Sequence, residues 1–380
     1  VEISGDGIDE NTKVYYNTPL INQESNGEAG DMQDGITFDM GGTSADISLI
    51  ENYEAQVSNE RLVEGYPARI PMINIITIGA GGGSIAKIDD GGALKVGPKS
   101  AGATPGPACY MRGGENPCVT DANIVLGKLN QKKILGGRMD VDIELAKNAI
   151  KTKICDKSNL DMKRAANGII TVVNSNMVRA IRSVSVEKGY DVREFSLMAF
   201  GGAGPLHACE VAKELGMKEV LIPPHPGTLC SLGLLLADTK FDLSRTKVMN
   251  GEADNLDSMN EQFDNMVEQG IGLLDKEGVP ADRRYFEFAI DMRYQRQNFE
   301  ISIPVPAGKM TEETLKKALA DFHAEHKRSY GYCKEDAIVQ FVSYRVSAIG
   351  VIDKPDLKAS ELHPEAPIPA PIEVRQVLFQ

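Results

Sequence analysis

Residues 39–46 read Asp39-Met40-Gly41-Gly42-Thr43-Ser44-Ala45-Asp46, and they lie between two apolar runs. Ile36-Thr37-Phe38 leads in and Ile47-Ser48-Leu49-Ile50 leads out. The segment 35–50 is therefore predicted as strand, tight turn, strand. Such a turn has a definite chemistry. Glycines let a backbone approach a phosphate closely, and a row of turn N–H groups forms an anion nest. Thr43 adds a hydroxyl donor. Asp39, closing the first strand, is placed to hold Mg2+ or its waters, an ion that takes one or two carboxylates plus substrate phosphates. A Gly-Gly pair alone is an ordinary hairpin turn. The Asp before it and the Thr-x-x-Asp after it set this one apart.

Downstream, residues 71–78 form a second apolar, β-branched run that ends in Gly79-Ala80-Gly81-Gly82-Gly83-Ser84, a loop with little side-chain bulk. Residues 91–121 are rich in Gly and Pro and show little periodicity, and long irregular segments of this kind are more often functional than linking. Helical patterning fills 140–188. Within it, Ile169, Val172, Val173, Met177, Ile181 and Val184 recur mostly at three- and four-residue steps. Residues 196–200 read as a buried strand that enters Gly201-Gly202-Ala203-Gly204. A helix over 205–215 follows, with Pro205 at its start and Gly216 at its stop. With a strand at 218–222 this completes a β-loop-α-β unit. Beyond 250 the character changes to a charged helix (255–277), two strands within 285–304, an amphipathic helix (311–330) and a strand (338–352). The Pro-rich stretch 363–371 reads as an extended connector. Residues 1–34 read as a surface segment or the tail of something removed. The expected division is 1–34, then a lobe over 35–250, then an α+β domain over 251–380.

Composition narrows the partners. The 380 residues carry a formal net charge of −13, which argues against nucleic acid, because phosphate-backbone binding needs a basic face. No apolar run reaches the roughly 18 residues of a membrane helix, and no leader peptide is recognisable. Six cysteines without framework spacing fit a reducing, cytoplasmic setting.

Rival motifs fail on their surroundings. The run 79–84 approaches a dinucleotide fingerprint, but its last Gly is replaced and Asp89-Asp90-Gly91-Gly92 cuts short any following helix. Residues 92–97 followed by Pro98-Lys99-Ser100 approach a P-loop, but Pro98 interrupts the Gly-Lys step. Cys109, Cys118, His207 and Cys209 lack zinc spacing. His207, in the first turn after the 201–204 glycines, has a positioning role or a structural one. Arg112 and Asp121 are candidates for lining a cleft on their loop setting alone. His323 and His326 fall on the amphipathic helix as packing or surface residues.

The 39–46 pattern resembles the second phosphate loop of the actin, sugar kinase and heat-shock chaperone ATPase fold. The stretch Phe200-Gly201-Gly202-Ala203-Gly204, after a strand and before a helix, matches that fold's adenosine motif. The small-residue helix over 165–186 matches its inter-lobe connecting helix in order. The resemblance implies an α/β fold: an actin/ribonuclease H-like ATPase lobe with an additional C-terminal α+β domain.

Three stretches narrow the likeness further. They are 36–44; 79–85 with 96–110; and 199–208 with Ile222-Pro223-Pro224-His225-Pro226-Gly227. These resemble the hydantoinase A / 5-oxoprolinase family, which includes the nucleotide-binding subunits of acetone-type carboxylases. The match is strong over 35–238 and looser at Asp291-Met292-Arg293-Tyr294 and Ser329-Tyr330-Gly331-Tyr332.

The resemblance implies a hydrolase that opens a cyclic amide of the hydantoin or 5-oxoproline type. ATP and Mg2+ are the implied cofactors. A hydantoinase B-type subunit is the implied partner in an oligomer. The residues it marks are Asp39 and Asp46 as catalytic, Asp39 as the Mg2+ ligand, Gly41, Gly42 and Thr43 at phosphate, and Gly201, Gly202, Ala203 and Gly204 at adenosine. An amide is resonance-stabilised; phosphorylating its oxygen makes the ring carbon electrophilic, and the protein then mainly positions and neutralises charge. One departure stands out. Family members begin with a further lobe carrying a first phosphate loop, and no copy precedes Asp39. One loop in place of two implies little or no ATPase activity from this chain alone. Two alternatives share these motifs: the ATP-binding subunit of an acetone-type carboxylase, and a non-catalytic nucleotide-binding scaffold that needs a partner subunit.

Overall fold

The computed structural model describes residues 33–58, 72–355 and 377–378, together with the backbones of strands at 13–16, 61–63 and 66–68. The chain divides into two compact units, residues 1–232 with 358–380 and residues 233–357. The division falls near 232 rather than at 250, because the strand Thr239–Asn250 pairs along Val339–Gly350 in the second unit's sheet.

The first unit is built on a seven-stranded sheet. Lys13–Tyr16, Glu219–Ile222, Ser196–Phe200 and Gly35–Met40 are neighbours in that order and parallel. Ala45–Glu51 returns antiparallel to Gly35–Met40, and Ile75–Ile78 pairs antiparallel with it in turn. The alternation read from the sequence decides the faces, since successive strand residues point to opposite sides. Ile36, Phe38, Met40, Ile47 and Leu49 enter one core. Helix α3 (Met162–Val184) packs Ile169, Val173, Met177 and Ile181 into it, and α4 (Gly204–Leu215) adds Ala208 and Val211. The opposite face carries a polar stripe in register, Thr37 with Ser48 and Asp39 with Asp46 beside Thr77. The expected strand-turn-strand, the β-loop-α-β unit and the helical stretch are all present. Lys13–Tyr16 adds an edge strand inside the stretch read as a surface segment.

The 91–121 stretch differs from its reading as irregular. Leu94–Ser100 is a strand that forms a hairpin with Ser84–Ile88, and Asp89 to Gly92 makes its turn. The short helix α1 (Val119–Val125) then closes the stretch, and α2 (Ile143–Lys153) follows it.

The second unit is a four-stranded antiparallel sheet in the order Thr239–Asn250, Val339–Gly350, Arg284–Tyr294, Ile301–Val305. Helices over Leu256–Lys276 and Glu312–Tyr330 cover it, the second opened by a Thr311/Thr314 capping box. Met259, Phe263 and Met266 pack on Phe288, Ile290 and Tyr344, with the Phe263 and Phe288 rings stacked at 4.6 Å. A buried ion pair, Asp291 with Arg345, ties two of its strands at 2.8 Å. The Pro-rich stretch at 363–371 lies outside the described residues. Among the described residues, no helix is long and apolar enough to cross a membrane.

Candidate functional site

The turn at 41–44 closes on a hydrogen bond from Gly41 N to Ser44 O at 3.0 Å. Asp39 ends the strand before it, opposite Asp46 in register. The two carboxylates face different work. Asp46 accepts from Thr77 Oγ1 at 2.5 Å and from Ser44 Oγ at 3.4 Å, so it anchors the far arm of the turn to the neighbouring strand. Asp39 accepts from the exposed Cys230 thiol, Sγ to Oδ2, at 2.9 Å. That hydrogen bond, with lesser help from desolvation, pushes the Cys230 thiol up to about 11.

Two glycine-rich segments grip the turn from either side. On one side, Gly82 N donates to Gly41 O at 3.0 Å and Gly83 N donates to Gly42 O at 2.6 Å. The approach tolerates no side chain at Gly81, where a Cβ would lie 2.5 Å from Thr43 N. Thr120 of α1 secures this bracket, its N–H and hydroxyl both donating to Gly82 O at 2.8 Å. Thr43 Oγ1 meets Ser100 Oγ at 3.3 Å. On the other side, Ala203 N donates to Met40 O at 2.8 Å. Gly201 holds φ +81° there, and a Cβ on it would overlap Asp39 Oδ1 and stand 2.5 Å from Met40 O. Only glycine combines that conformation with that contact.

The sequence-predicted residues Asp39, Asp46, Gly41, Gly42, Thr43, Gly201, Gly202, Ala203 and Gly204 are thus gathered at one end of neighbouring strands. A Cβ added at Gly41, Gly42 or Gly202 would meet nothing within 4 Å. The turn's outer side is therefore open, with room for a group to lie against bare backbone.

Other candidates have different places. Asp121 is buried, and its carboxylate accepts from the N–H groups of Ala108 (3.2 Å), Cys109 (2.8 Å) and Cys118 (2.8 Å). It staples the 108–118 loop instead of lining a cleft. Burial raises its pKa, against the pull of those N–H donors. Burial, reinforced by Asp121, also raises the thiols of Cys109 and Cys118 well above the ordinary range. Arg112 is exposed and donates to Ala103 O at 3.1 Å. His207 is buried away from the turn, its ring nitrogens against Asn174 Oδ1 (2.8 Å) and Asn123 Nδ2 (3.3 Å). Burial, and then the nearby Lys128 charge, holds it down to about 3. His323 bonds Tyr294 Oη at 2.7 Å and His326 is buried, both in the second unit. Among the described residues, no group of three or more His, Cys, Asp or Glu is arranged to hold a metal ion.

Sequence reading missed Thr120, Ser100 and Cys230. Thr120 and Ser100 act through contacts made far along the chain, and Cys230 sits in an apolar helix, Leu229–Leu236, that has no periodic signal.

Residues 23–243 match the Hydantoinase/oxoprolinase family. The chain belongs to this family. It is 39% identical over 340 residues to caprolactamase subunit alpha of Pseudomonas jessenii, covering 88% of this chain and 49% of that protein. The solved structure of that organism's ATP-dependent caprolactamase superposes with a TM-score of 0.68 over 85% of this chain and 47% of that one. A nucleotide-free acetone carboxylase structure, from work on ATP-dependent acetone carboxylation, gives a TM-score of 0.74 at 25% identity, covering 86% of this chain and 48% of that one. The 5-oxoprolinase 1 of Arabidopsis thaliana is 34% identical over 359 residues, covering 87% of this chain and 27% of that protein. The chain therefore spans about half the length of the caprolactamase subunit it matches. The fold is α/β, an actin-like ATPase lobe followed by an α+β unit, as the sequence resemblance implied.

Proposed function

We propose that this chain is the nucleotide-binding portion of an ATP-dependent enzyme that opens cyclic amides, acting with further polypeptide of the same enzyme. The observation that carries this reading is the open turn at 41–44, with the Asp39 carboxylate at its root and glycine brackets on both sides. Bare backbone with open space above it suits a phosphate chain. Asp39 suits Mg2+, which binds through one or two carboxylates and substrate phosphates. ATP, when bound, supplies the phosphoryl group that makes the carbon of an unreactive cyclic amide electrophilic enough for its C–N bond to be cleaved.

The chain's own residues then have these tasks. Gly42 and Thr43 present N–H groups, and Thr43 a hydroxyl, to phosphate oxygens, while Gly41, its N–H spent on closing the turn, keeps bare backbone at the site. Asp39 holds the cation's position. Asp46 keeps the turn from opening by its bonds to Thr77 and Ser44. Gly201, Gly202, Ala203 and Gly204 carry backbone past the nucleoside. Catalysis of this kind rests on positioning and charge neutralisation more than on covalent chemistry.

A second reading, an ATP-binding carboxylase subunit that activates a ketone, draws support from the acetone carboxylase likeness. Substrate separates the two. The test is ATP-dependent phosphate release by the whole enzyme, including its companion polypeptides, with bicarbonate present throughout and 5-oxoproline, hydantoin, a simple lactam and acetone each in turn. Stimulation by a cyclic amide, lost in Asp39→Asn, supports the proposal. Stimulation by acetone alone supports the carboxylase reading, and an Asp39→Asn enzyme at full rate removes Asp39 from the metal role.

A further inference from the structure

The two brackets on the turn belong to different helices, and one buried chain of hydrogen bonds joins those helices. Thr120, which holds Gly82, lies on α1, and Asn123 follows one helical turn later. Ala203, whose N–H holds Met40 O, and Gly201, packed closely against Asp39, lead directly into α4, and His207 lies one turn inside it. Asn123 Nδ2 and His207 Nε2 meet at 3.3 Å. The path from one bracket to the other thus runs Gly82, Thr120, α1, Asn123, His207, α4, Ala203.

The direction of every bond in this chain is set from its far end. Lys128 pairs with Glu210 Oε1, and Glu210 Oε2 accepts from Asn174 Nδ2 at 2.7 Å. With its NH2 committed to a carboxylate, Asn174 presents its carbonyl oxygen to His207 Nδ1 at 2.8 Å. His207 Nδ1 must therefore carry the proton, and its Nε2 accepts from the Asn123 amide. Asn123, Asn174, Lys128 and His207 are all buried. In such surroundings a lost partner leaves a polar group stranded; Asn123 Oδ1 is already without a partner among the described residues, so losing His207 would leave both polar atoms of its amide unpaired.

We propose that Asn123 and His207 are positioning residues, a strut that fixes α1 against α4 and so fixes the spacing of the two brackets around the phosphate turn. Both residues are buried and act on the turn through Thr120 and Ala203. They set the distance between Gly82 and Ala203, across which Gly41, Gly42 and Asp39 are held. The consequence for nucleotide binding rests on the reading of this turn as a phosphate site; the strut itself does not.

Amide hydrogen exchange of the full chain tests it without any ligand. Gly82 N–H and Gly83 N–H donate to the turn from the α1 side, whereas His207 lies on the α4 side. In His207→Leu and in Asn123→Leu, exchange at Gly82, Gly83 and Ala203 is expected to quicken about tenfold, with amides of the second unit unchanged. His207→Gln keeps a donor and an acceptor on one side chain and is expected to restore most of the protection. A purely local packing role would loosen α4 and leave Gly82 and Gly83 at the unsubstituted rate, which overturns the proposal. Uniform acceleration throughout the first unit, unrescued by His207→Gln, overturns it too. Titration of the same proteins with MgATP is read separately. Absence of binding in the unsubstituted chain and its whole enzyme would count against the phosphate site and leave the exchange result standing.

Discussion

Substituting Gly201→Ala places a methyl group where the site has no room for one. The backbone there has φ +81°, a left-handed conformation that costs a non-glycine residue roughly 1–2 kcal/mol. The new Cβ would also overlap Asp39 Oδ1 and stand 2.5 Å from Met40 O and 2.8 Å from Met40 C. The Met40 atoms are backbone of a central strand and cannot swing aside as the Asp39 side-chain end could. Overpacking of this kind adds about 1–3 kcal/mol. The sum is about 2–5 kcal/mol, or roughly 4–20 °C in the unfolding midpoint of a unit this size. Gly202→Ala is the matched control. Its Cβ meets nothing within 4 Å, so its change is expected within about 0.5 kcal/mol. Scanning calorimetry of both variants decides the matter, since the first unit should melt early only in Gly201→Ala. Equal midpoints for the two variants would refute the claim that Gly201 is pressed against Asp39 and Met40.

Three further outcomes follow from the same geometry. Asp121→Ala removes the acceptor of three buried N–H groups and is expected to cost about 3 kcal/mol or more, with new proteolytic cleavage within 101–118 as the local readout. His207 is held down to about 3, so the folded chain favours its neutral form. Stability from this residue is fully present above the unfolded value, roughly 6.5, and is lost as pH falls from there toward 3. Urea titrations between pH 7 and 4 should show a loss of a few kcal/mol that His207→Gln flattens. Arg345→Ala strands the buried Asp291 carboxylate and is expected to destabilise the second unit by about 3–5 kcal/mol; calorimetry should show that unit's transition move while the first stays in place.

The parts of the fold legible in the sequence were those with a local cause. The run 35–50 alternates apolar and polar residues around a Gly-Gly turn, and residues 165–184 repeat at helical spacing, so both elements declare themselves. Pro205 and Gly216 mark the ends of α4 in the same way. What stayed hidden depends on distant partners. Leu94–Ser100 contains Gly97 and Pro98, which mask its strand character, and its pairing with Ser84–Ile88 settles it. Thr239–Asn250 is an edge strand whose exposed polar residues give a weak pattern, so the sequence alone places it with the lobe before it. Within the site, Asp39, Gly41 and Gly42 are readable because the turn's chemistry is written in consecutive residues, and Gly201 because a second glycine cluster follows a strand and opens a helix. The bracket at Gly82 and Gly83 was visible only as a loop of small residues, and its hold on Gly41 and Gly42 depends on the fold. Asp121 shows the opposite lesson: a carboxylate in a functional-looking loop can be occupied entirely with its own backbone.

The most direct measurement of the central claim is paramagnetic broadening of backbone amide signals by Mn2+-ATP, which reports proximity even when binding is weak. With Mn2+ standing in for Mg2+ at Asp39, the amides of Gly41, Gly42, Thr43 and Gly202 are expected to broaden first, and Asp39→Asn to abolish the effect. Broadening centred elsewhere in the chain, with those four signals untouched, would contradict the account.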